Sequence, residues 1–309
     1  MCRVLIYKGE PVSLDALLFR PNNSLIRQSY EPQLLDALSL AGFGMLAWDD
    51  RSPRPAMPFA YKTPGIPLFD DTLKSLAEKI DVTTLIAHVR GVAYEAAPTI
   101  GEQNLHPFRY RGMSLALAHN GQLAGFERMR FALLAHIKPE IARLIRGNTD
   151  SEWIYALLLS ALDDPTATQS SDAILAALER TLVVLRTVRH EHNIAISSPA
   201  NLFVTDGTSI VATRFTFDFG CYDPSDVGAI AAASHRYLDM WYTTGGTYAF
   251  EEGEWRMSSV PAGETRSLII SSEPLTRDPS TWFEVPEYSA LVVSIVSGQM
   301  SHRVKFLDA

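Results

Sequence analysis

The chain alternates between short runs of apolar residues and longer stretches in which apolar positions recur every three or four residues. The short runs are rich in β-branched and large apolar side chains and are bounded by glycine, proline or polar residues, which predicts buried β-strands. Strands are predicted at 3–7, 42–48, 84–90, 113–118, 201–205, 208–215, 237–243, 265–272 and 289–297. The helical period predicts helices at 14–19, 73–80, 153–162 and 171–188, and two helical stretches over 125–145.

The order of these elements favours one layered domain over residues 1–309. Strands both precede and follow the helices, which is typical of an α+β domain rather than of two separate units. Residues 51–70 contain several prolines, and this density predicts an irregular loop. The glycines of the strand at 42–48 predict a close approach of its backbone to the N-terminal strand.

Composition describes a folded protein without a large surface for polyanions. Hydrophobic residues make up 47% and charged residues 20% of the 309 positions, and the formal net charge is −8. An acidic balance argues against nucleic acid or an anionic membrane as a partner. A signal-peptide pattern and an apolar run of membrane-spanning length are not found in the sequence. Two cysteines, Cys2 and Cys221, cannot form a disulfide framework, and this usage predicts a cytoplasmic location.

The second residue is the first candidate for chemistry. Cysteine is small enough to permit removal of Met1, which would leave Cys2 with a free α-amine. Such an amine titrates near ~7.7–8.0 and a thiol near ~8.5, so the neutral amine is able to accept the thiol proton near neutral pH. One residue would then supply both a nucleophile and its base. A cysteine at position 2 is weak evidence for a nucleophile by itself, and the residues further along the chain strengthen this interpretation.

Three further elements are apolar except for a polar group at one end: Arg90, the pair Asn120–Gly121, and Asp150. An Asn amide and a Gly backbone N–H can donate to the oxyanion that forms when a thiolate attacks a carboxamide. Arg90 and Asp150 suit the α-carboxylate and α-ammonium groups of an amino acid. If these groups converge on Cys2, they predict a site for glutamine or a γ-glutamyl compound.

Each of these residues also has a purely structural interpretation. Arg90 can close a strand with a surface salt bridge, and Asn120–Gly121 can form a hairpin turn. Asp150 can complement the dipole of the helix that follows it. Thr149 and Glu152 match a capping box, which would open that helix with two reciprocal hydrogen bonds.

The remaining polar candidates are expected to be structural. His106 and His119 are predicted to be structural hydrogen-bonding residues, and Cys221 to be a buried or inert thiol. His190-Glu191-His192 has no third ligand at a useful spacing for a metal. A phosphate-binding loop of the required form is not found in the sequence, so neither a metal nor a cofactor is predicted.

Five motifs occur in a characteristic order: Cys2, Ala87-His88-Val89-Arg90, His106-Pro107-Phe108, Ala118-His119-Asn120-Gly121-Gln122-Leu123 and Thr149-Asp150-Ser151-Glu152. Together they resemble the class II glutamine amidotransferase domains, which are N-terminal-nucleophile hydrolases. The chain is most similar to stand-alone members, including the γ-glutamyl hydrolases of ergothioneine biosynthesis and the bacterial YafJ-type proteins. The resemblance implies an αββα sandwich of two packed antiparallel sheets flanked by helices. It also implies Cys2 as nucleophile, Asn120 and Gly121 as oxyanion hole, and Arg90 and Asp150 as substrate-binding residues.

The resemblance implies an enzyme that cleaves a γ-carboxamide through a Cys2 thioester and releases ammonia or an amine. Synthase-linked members have Arg-Trp-x-Thr-His where this chain has Arg90-Gly91-Val92-Ala93-Tyr94, which favours an acyl donor other than, or larger than, glutamine. An acceptor-binding synthase domain is not part of this sequence. Two alternatives therefore stay open: a glutaminase subunit that feeds ammonia to a separate synthase, and a catalytically silent binding or regulatory homologue.

Overall fold

The computed structural model describes residues 2–34, 38–91, 101–221, 239–261, 263–276, 278–296 and 298–308. Within these ranges the strands form two large sheets and a two-stranded ribbon, with antiparallel pairing throughout. The strands are β1 (Arg3–Ser13), β2 (Phe43–Trp48), β3 (Phe59–Thr63), β4 (Asp81–Val89), β5 (Ala116–Gly121), β6 (Ser198–Thr205), β7 (Ile210–Arg214), β8 (Thr216–Phe217), β9 (Trp241–Gly245), β10 (Tyr248–Glu251), β11 (Glu254–Met257), β12 (Ser267–Ser271), β13 (Phe283–Glu284), β14 (Ser289–Val296) and β15 (Gln299–Phe306).

The first sheet has the strand order β13-β9-β12-β1-β4-β2-β3, so β1 and β4 are neighbours at its centre. The second sheet has the order β15-β14-β7-β6-β5, with β8 paired to β6. The ribbon is formed by β10 and β11. The helices are α1 (Leu14–Leu18), α2 (Asp71–Ala77), α3 (Phe126–Leu133), α4 (Pro139–Ala142), α5 (Asp150–Ser160) and α6 (Ser171–Glu191).

Three apolar clusters define four layers. One cluster joins α1 and α2 to the outer face of the first sheet, for example through Leu17 and Leu73 against Leu5. A second cluster joins the four helices α3, α4, α5 and α6 to the outer face of the second sheet. The third lies between the two sheets, where Val4 and Ile86 belong to the same cluster as residues of β5, β7 and β14. The predicted α+β class and αββα four-layer sandwich are confirmed. In the described ranges we find no helix that is long and apolar enough to cross a membrane.

Alternation along the central strands decides which side chains face the other sheet. Side chains of a strand point to opposite faces in turn. Val4 and Ile6 belong to the cluster between the sheets, whereas Leu5 and Tyr7 belong to the outer cluster. The even-numbered positions Val4 and Ile6, which precede the irregularity in β1, therefore face the second sheet, and Cys2 continues that face beyond the end of the strand.

Several predicted boundaries are wrong. β1 continues past Lys8 to Ser13 through an irregularity in its register with β4. The stretch 51–70, predicted as an irregular loop, contains the edge strand β3. The prolines of this stretch all lie outside the hydrogen-bonded residues of β3. The backbone of β2 does not approach the N-terminal strand, because β4 lies between β2 and β1. The backbone that does come close to β2 belongs to His106: a Cβ added to Gly44 would lie 2.1 Å from its carbonyl oxygen.

The C-terminal half is richer in strands than the sequence predicted. The hairpin of β6 and β7, the helix α6 and the strands β12 and β14 are confirmed in place. The ribbon of β10 and β11, the short β13 and the edge strand β15 were not predicted. Part of the strand predicted at 237–243 lies outside the described residues.

Candidate functional site

Cys2 lies beside Arg90 at one end of the first sheet. β1 and β4 are antiparallel with Arg3 opposite Val89, so the next residue of each strand, Cys2 and Arg90, comes at the same end of the ladder. Cys2 is 8% exposed, and its Sγ is 3.7 Å from the carbonyl oxygen of Gly91. The thiol therefore lies at the edge of the buried layer and is neither sealed inside it nor free in solvent.

Arg90 is held by its backbone and keeps its guanidinium group largely buried. Its N–H donates to the carbonyl of Gly42 at 2.8 Å, and its carbonyl accepts from the N–H of Ala41 at 2.8 Å. Burial lowers the pKa of Arg90, while interactions with Cys2 and Asp150 raise it. Arg90 thus stands within electrostatic reach of both groups, and the surface salt bridge proposed as an alternative does not describe a side chain that is 5% exposed.

Asn120 and Gly121 come from the second sheet. They end β5 and pair with Asn201 and Ala200 of β6, so the alternative that they form a hairpin turn is wrong. Asn120 is 6% exposed and, like Ala116 and Ala118 before it, occupies an even-numbered position facing the first sheet. A Cβ added to Gly121 would lie 2.0 Å from the carbonyl oxygen of Pro199, which explains why glycine occupies this position.

Ser272 connects the two sheets at this end. Its Oγ accepts a hydrogen bond from the N–H of Val4 at 3.0 Å, and its own N–H donates to the carbonyl of Val4 at 3.1 Å. The Nδ2 of Asn120 donates to the same Oγ at 3.5 Å. The side-chain amide of Asn120 is therefore linked through one serine to the strand that carries Cys2.

Asp150 is the first residue of α5, and its carboxylate is held by neighbouring donors. Oδ2 accepts from the N–H of Leu123 at 2.7 Å, and Oδ1 accepts from the N–H and the hydroxyl of Ser151 at 2.7 and 3.1 Å. Leu123 lies two residues beyond the end of β5, which carries Asn120 and Gly121. The aspartate thus joins the start of α5 to the segment that leaves the second sheet.

The predicted capping box is wrong. The side chain of Thr149, the N-cap residue, makes no capping hydrogen bond. The carboxylate of Glu152 turns instead to the preceding loop, where it accepts from the N–H groups of Arg146 and Gly147 at 3.0 and 2.6 Å. Glu152 also accepts from the hydroxyl of Tyr110 at 3.2 Å.

Three buried histidines lie behind the site. The rings of His88 and His106 are 4.1 Å apart, and the ring of Phe108 stands edge-on to His106 at 4.8 Å. Burial lowers the pKa of His88 to about 3 and the pKa of His106 well below its ordinary value, so both imidazoles are neutral near pH 7. His119 hydrogen-bonds through Nδ1 to Ser151 Oγ at 2.9 Å, as a structural residue does. The ring nitrogens of His106 have no hydrogen-bond partner among the described residues, so this side chain packs rather than hydrogen-bonds.

Sequence reasoning missed three residues around Cys2: Arg3, Ser272 and Glu273. Arg3 donates to the Cys2 carbonyl, and Glu273 pairs with Arg3. A signal was available, because Ser272 and Glu273 are the polar end of an apolar strand, as are Arg90 and Asn120. Cys221 is exposed, so of the two alternatives the buried thiol is wrong, and the inert thiol stays a prediction.

The fold and the comparisons with known proteins agree on the class of protein. The αββα sandwich is the fold of the N-terminal-nucleophile hydrolases. The family model for class II glutamine amidotransferases matches residues 68–217. The probable glutamine amidotransferase DUG3 of Saccharomyces cerevisiae is 32% identical over 312 residues, covering 95% of this chain and 82% of the yeast protein. The chain belongs to the class II glutamine amidotransferases and is an enzyme acting on glutamine or γ-glutamyl amides.

Solved structures support the same fold. A glutamine aminotransferase class-II domain protein from Silicibacter pomeroyi aligns with a TM-score of 0.59 at 19% identity and covers 99% of both chains. The predicted glutamine amidotransferase from Pseudomonas aeruginosa aligns with a TM-score of 0.51 at 19% identity, over 94% of this chain and 96% of the other. The glutamine phosphoribosylpyrophosphate amidotransferase of Bacillus subtilis aligns with a TM-score of 0.53 at 15% identity, over 98% of this chain and 49% of the other.

Proposed function

We propose that this enzyme cleaves the γ-carboxamide of glutamine or of a γ-glutamyl compound through a thioester on Cys2. The observation that carries the proposal is the position of Cys2 next to Arg90, with Asp150 within electrostatic reach and Asn120 one hydrogen-bonded serine away. The sequence alone predicts Cys2, Arg90, Asn120 and Asp150 as site residues. We further propose that residues 1–309 form a single domain and, from the cysteine usage, that the protein is cytoplasmic.

The proposed reaction begins when the free α-amine of Cys2 accepts the thiol proton. The thiolate attacks the γ-carbonyl carbon, and the carbonyl oxygen becomes an oxyanion that the Asn120 amide and the Gly121 N–H stabilise. When the C–N bond breaks, the leaving ammonia or amine takes the proton from the α-ammonium group. The product of this half-reaction is a γ-glutamyl thioester. Water then attacks the thioester with the amine as base, which releases the γ-carboxylate and restores the thiol.

The same geometry supports an assignment of the substrate-binding residues. We assign Arg90 to the α-carboxylate of the acyl donor, because a planar guanidinium group offers two parallel donors to a carboxylate. Asp150 is assigned to the α-ammonium group. Its carboxylate is already oriented by Leu123 and Ser151, so little motion is needed when the substrate arrives.

The test uses the Cys221→Ser variant as the parent protein, so that Cys2 is the remaining thiol. Intact-mass measurement first establishes whether Met1 is removed. The protein is then incubated with glutamine and with a panel of γ-glutamyl amides, while released ammonia or amine is quantified. Acid-quenched samples are examined by mass spectrometry for a γ-glutamyl adduct on the peptide that contains Cys2.

Turnover of at least one donor, with an adduct on Cys2 that Cys2→Ala abolishes, is the expected result. Turnover that appears only when a co-purifying protein is added would instead favour the glutaminase subunit of a larger amidotransferase. A chain that retains Met1, or that turns over none of the donors with or without co-purifying proteins, would overturn the proposal and favour the binding or regulatory homologue.

A further inference from the structure

Arg3 and Glu273 form a buried ion pair directly behind the nucleophile. Arg3 occupies an odd-numbered position of β1, so its side chain enters the outer layer, on the opposite side of the sheet from Cys2. Its Nη1 donates to the carbonyl oxygen of Cys2 at 3.1 Å, and its Nη2 is 3.3 Å from Oε1 of Glu273. Both side chains are 2% exposed.

Glu273 is anchored by a separate segment of the chain. Its Oε2 accepts from the backbone N–H groups of Gln33 and Leu34 at 2.9 and 3.2 Å. The Nδ2 of Asn23 donates to the same oxygen at 3.3 Å. These three hydrogen bonds fix the position of the Glu273 carboxylate. The ion pair with Glu273 in turn fixes the Arg3 guanidinium group, which donates to the carbonyl of Cys2.

Stability alone does not explain this pair. Two buried charges carry a large desolvation penalty, and an apolar pair of similar volume is often at least as stable. Burial lowers the pKa of Arg3, and Glu273 acts in the opposite direction. What the pair adds is a rigid hydrogen bond to the residue that bears both the thiol and the amine, together with two opposed charges next to them.

We propose that Arg3 and Glu273 are positioning residues for Cys2, which orient its amine and thiol through its carbonyl group and balance the charge around them. The proposal rests on the proposed function only for the identity of the reacting groups. Neither side chain contacts substrate, because both lie on the far side of the first sheet.

The charged groups around the Cys2 amine determine the sign of the expected effects. Arg90 and the neutral His88 share the inward face at the end of β4, Asp150 of α5 interacts electrostatically with Arg90, and Arg3 and Glu273 lie behind Cys2. A nearby cation disfavours an ammonium group and favours a thiolate, and a nearby anion does the reverse. Removing the charge of Glu273 should therefore shift both titrations to lower pH. Removing the charge of Arg3 should shift both to higher pH.

The experiment compares Glu273→Gln, Arg3→Met, Arg3→Lys and the double variant Arg3→Met/Glu273→Gln, all in the Cys221→Ser background. Two pH profiles are measured for each: kcat/KM with a γ-glutamyl amide, and the rate at which iodoacetamide alkylates Cys2. The matched control is the pair Lys8→Met and Asp50→Asn, which breaks a half-buried ion pair between Lys8 of β1 and Asp50 of the segment after β2, away from the thiol. Glu273→Gln retains the size of the side chain and one acceptor oxygen, so it is the variant best suited to keep the fold.

We expect the acid limb of both profiles to move down by about 0.5–1 pH unit in Glu273→Gln and up by a similar amount in Arg3→Met. The double variant should return close to the parent midpoint but with kcat/KM lowered roughly tenfold, because the hydrogen bond to the Cys2 carbonyl is lost. Arg3→Lys keeps the positive charge but not the guanidinium group. Its pH midpoint should therefore lie closer to the parent value than its rate does. The control variants should leave both profiles unchanged.

Shifts in the same direction for the two single variants, or a profile in Glu273→Gln that matches the parent in both midpoint and rate, would overturn the proposal. The alkylation profile needs no turnover. If no donor is hydrolysed, the proposed function fails, while the opposed shifts in alkylation still support or overturn the role of Arg3 and Glu273.

Discussion

The Oγ of Ser272 is 3.5 Å from the Nδ2 of Asn120, and the two residues belong to different sheets. The same Oγ accepts the N–H of Val4, two residues from the proposed nucleophile. An amide that donates one hydrogen to this serine has its second hydrogen available for the oxyanion. Ser272 therefore orients the proposed oxyanion donor relative to the strand that bears the thiol.

The first prediction concerns this orientation. Ser272→Ala should lower kcat about fivefold and leave KM nearly unchanged, because a neutral hydrogen bond contributes about 1 kcal/mol and this one acts on the transition state. Steady-state kinetics with a γ-glutamyl amide provide the measurement. Ser271→Ala is the matched control, since this neighbouring serine is also buried but belongs to the outward-facing positions of β12. Equal losses of kcat in both variants would contradict the assignment.

The second prediction separates the roles of Arg90 and Asp150 by using truncated donors. 4-Aminobutanamide is glutamine without its α-carboxylate, and glutaramic acid is glutamine without its α-amine. Arg90→Met should lose the preference for glutamine over 4-aminobutanamide, and Asp150→Asn should lose the preference for glutamine over glutaramic acid. Each preference should be about 10–100-fold in kcat/KM in the parent protein, as expected for a hydrogen bond to a charged group.

This design has its control built in. Arg90→Met should retain the discrimination against glutaramic acid, and Asp150→Asn should retain the discrimination against 4-aminobutanamide. A variant that loses both preferences together has lost the shape of the site rather than one contact. That result would contradict the assignment of Arg90 to the α-carboxylate and of Asp150 to the α-ammonium group.

Much of the site could be predicted because its residues carry local signals. Arg90 and Asn120 each end an apolar run, and a polar group in that position indicates either a surface or a site. The inward alternation of β1, β4 and β5 is also a local property of the sequence, and it brings these ends together once the sheets pack. Joint occurrence of the motifs in one order then separated the functional interpretation from the structural one.

The features that could not be predicted depend on partners distant along the chain. Ser272 and Glu273 act on the N-terminal strand only because β12 pairs with β1, and nothing in either segment specifies that pairing. The edge strands β3 and β15 could not be predicted from the sequence for a related reason. β3 lies within a proline-rich stretch and β15 is mostly exposed, so neither shows the buried pattern on which strand prediction rests.

The third prediction uses the failed capping box. Glu152→Ala should lower the free energy of unfolding by about 2–4 kcal/mol, because it leaves the N–H groups of Arg146 and Gly147 without their acceptor. Thr149→Ala should cost less than about 0.5 kcal/mol, whereas loss of a true N-cap costs about 1 kcal/mol. Urea unfolding followed by circular dichroism distinguishes the two. A larger loss for Thr149→Ala than for Glu152→Ala would restore the capping box.

The fourth prediction follows from the neutral histidines behind the site. Burial lowers the pKa of His88 to about 3 in the folded protein, whereas an unfolded histidine titrates near ~6.5. Above about pH 6.5 neither state binds the proton, so the residue has no effect on the pH dependence of stability. Between about pH 6.5 and pH 3 only the unfolded chain is protonated, and each pH unit should cost about 1.4 kcal/mol for this one histidine.

Urea unfolding at several pH values from about 6.5 to about 5 measures that slope. His106 and His119, whose pKa values burial also lowers, should add to it, so the loss of stability should be steeper than one proton explains. His88→Gln should reduce the slope by one proton whatever it does to stability at neutral pH. His136→Gln, which alters an exposed histidine, should leave the slope unchanged. An unchanged slope in His88→Gln would mean that His88 binds a proton as readily in the folded protein as in the unfolded chain. The prediction that its buried imidazole stays neutral would then be wrong.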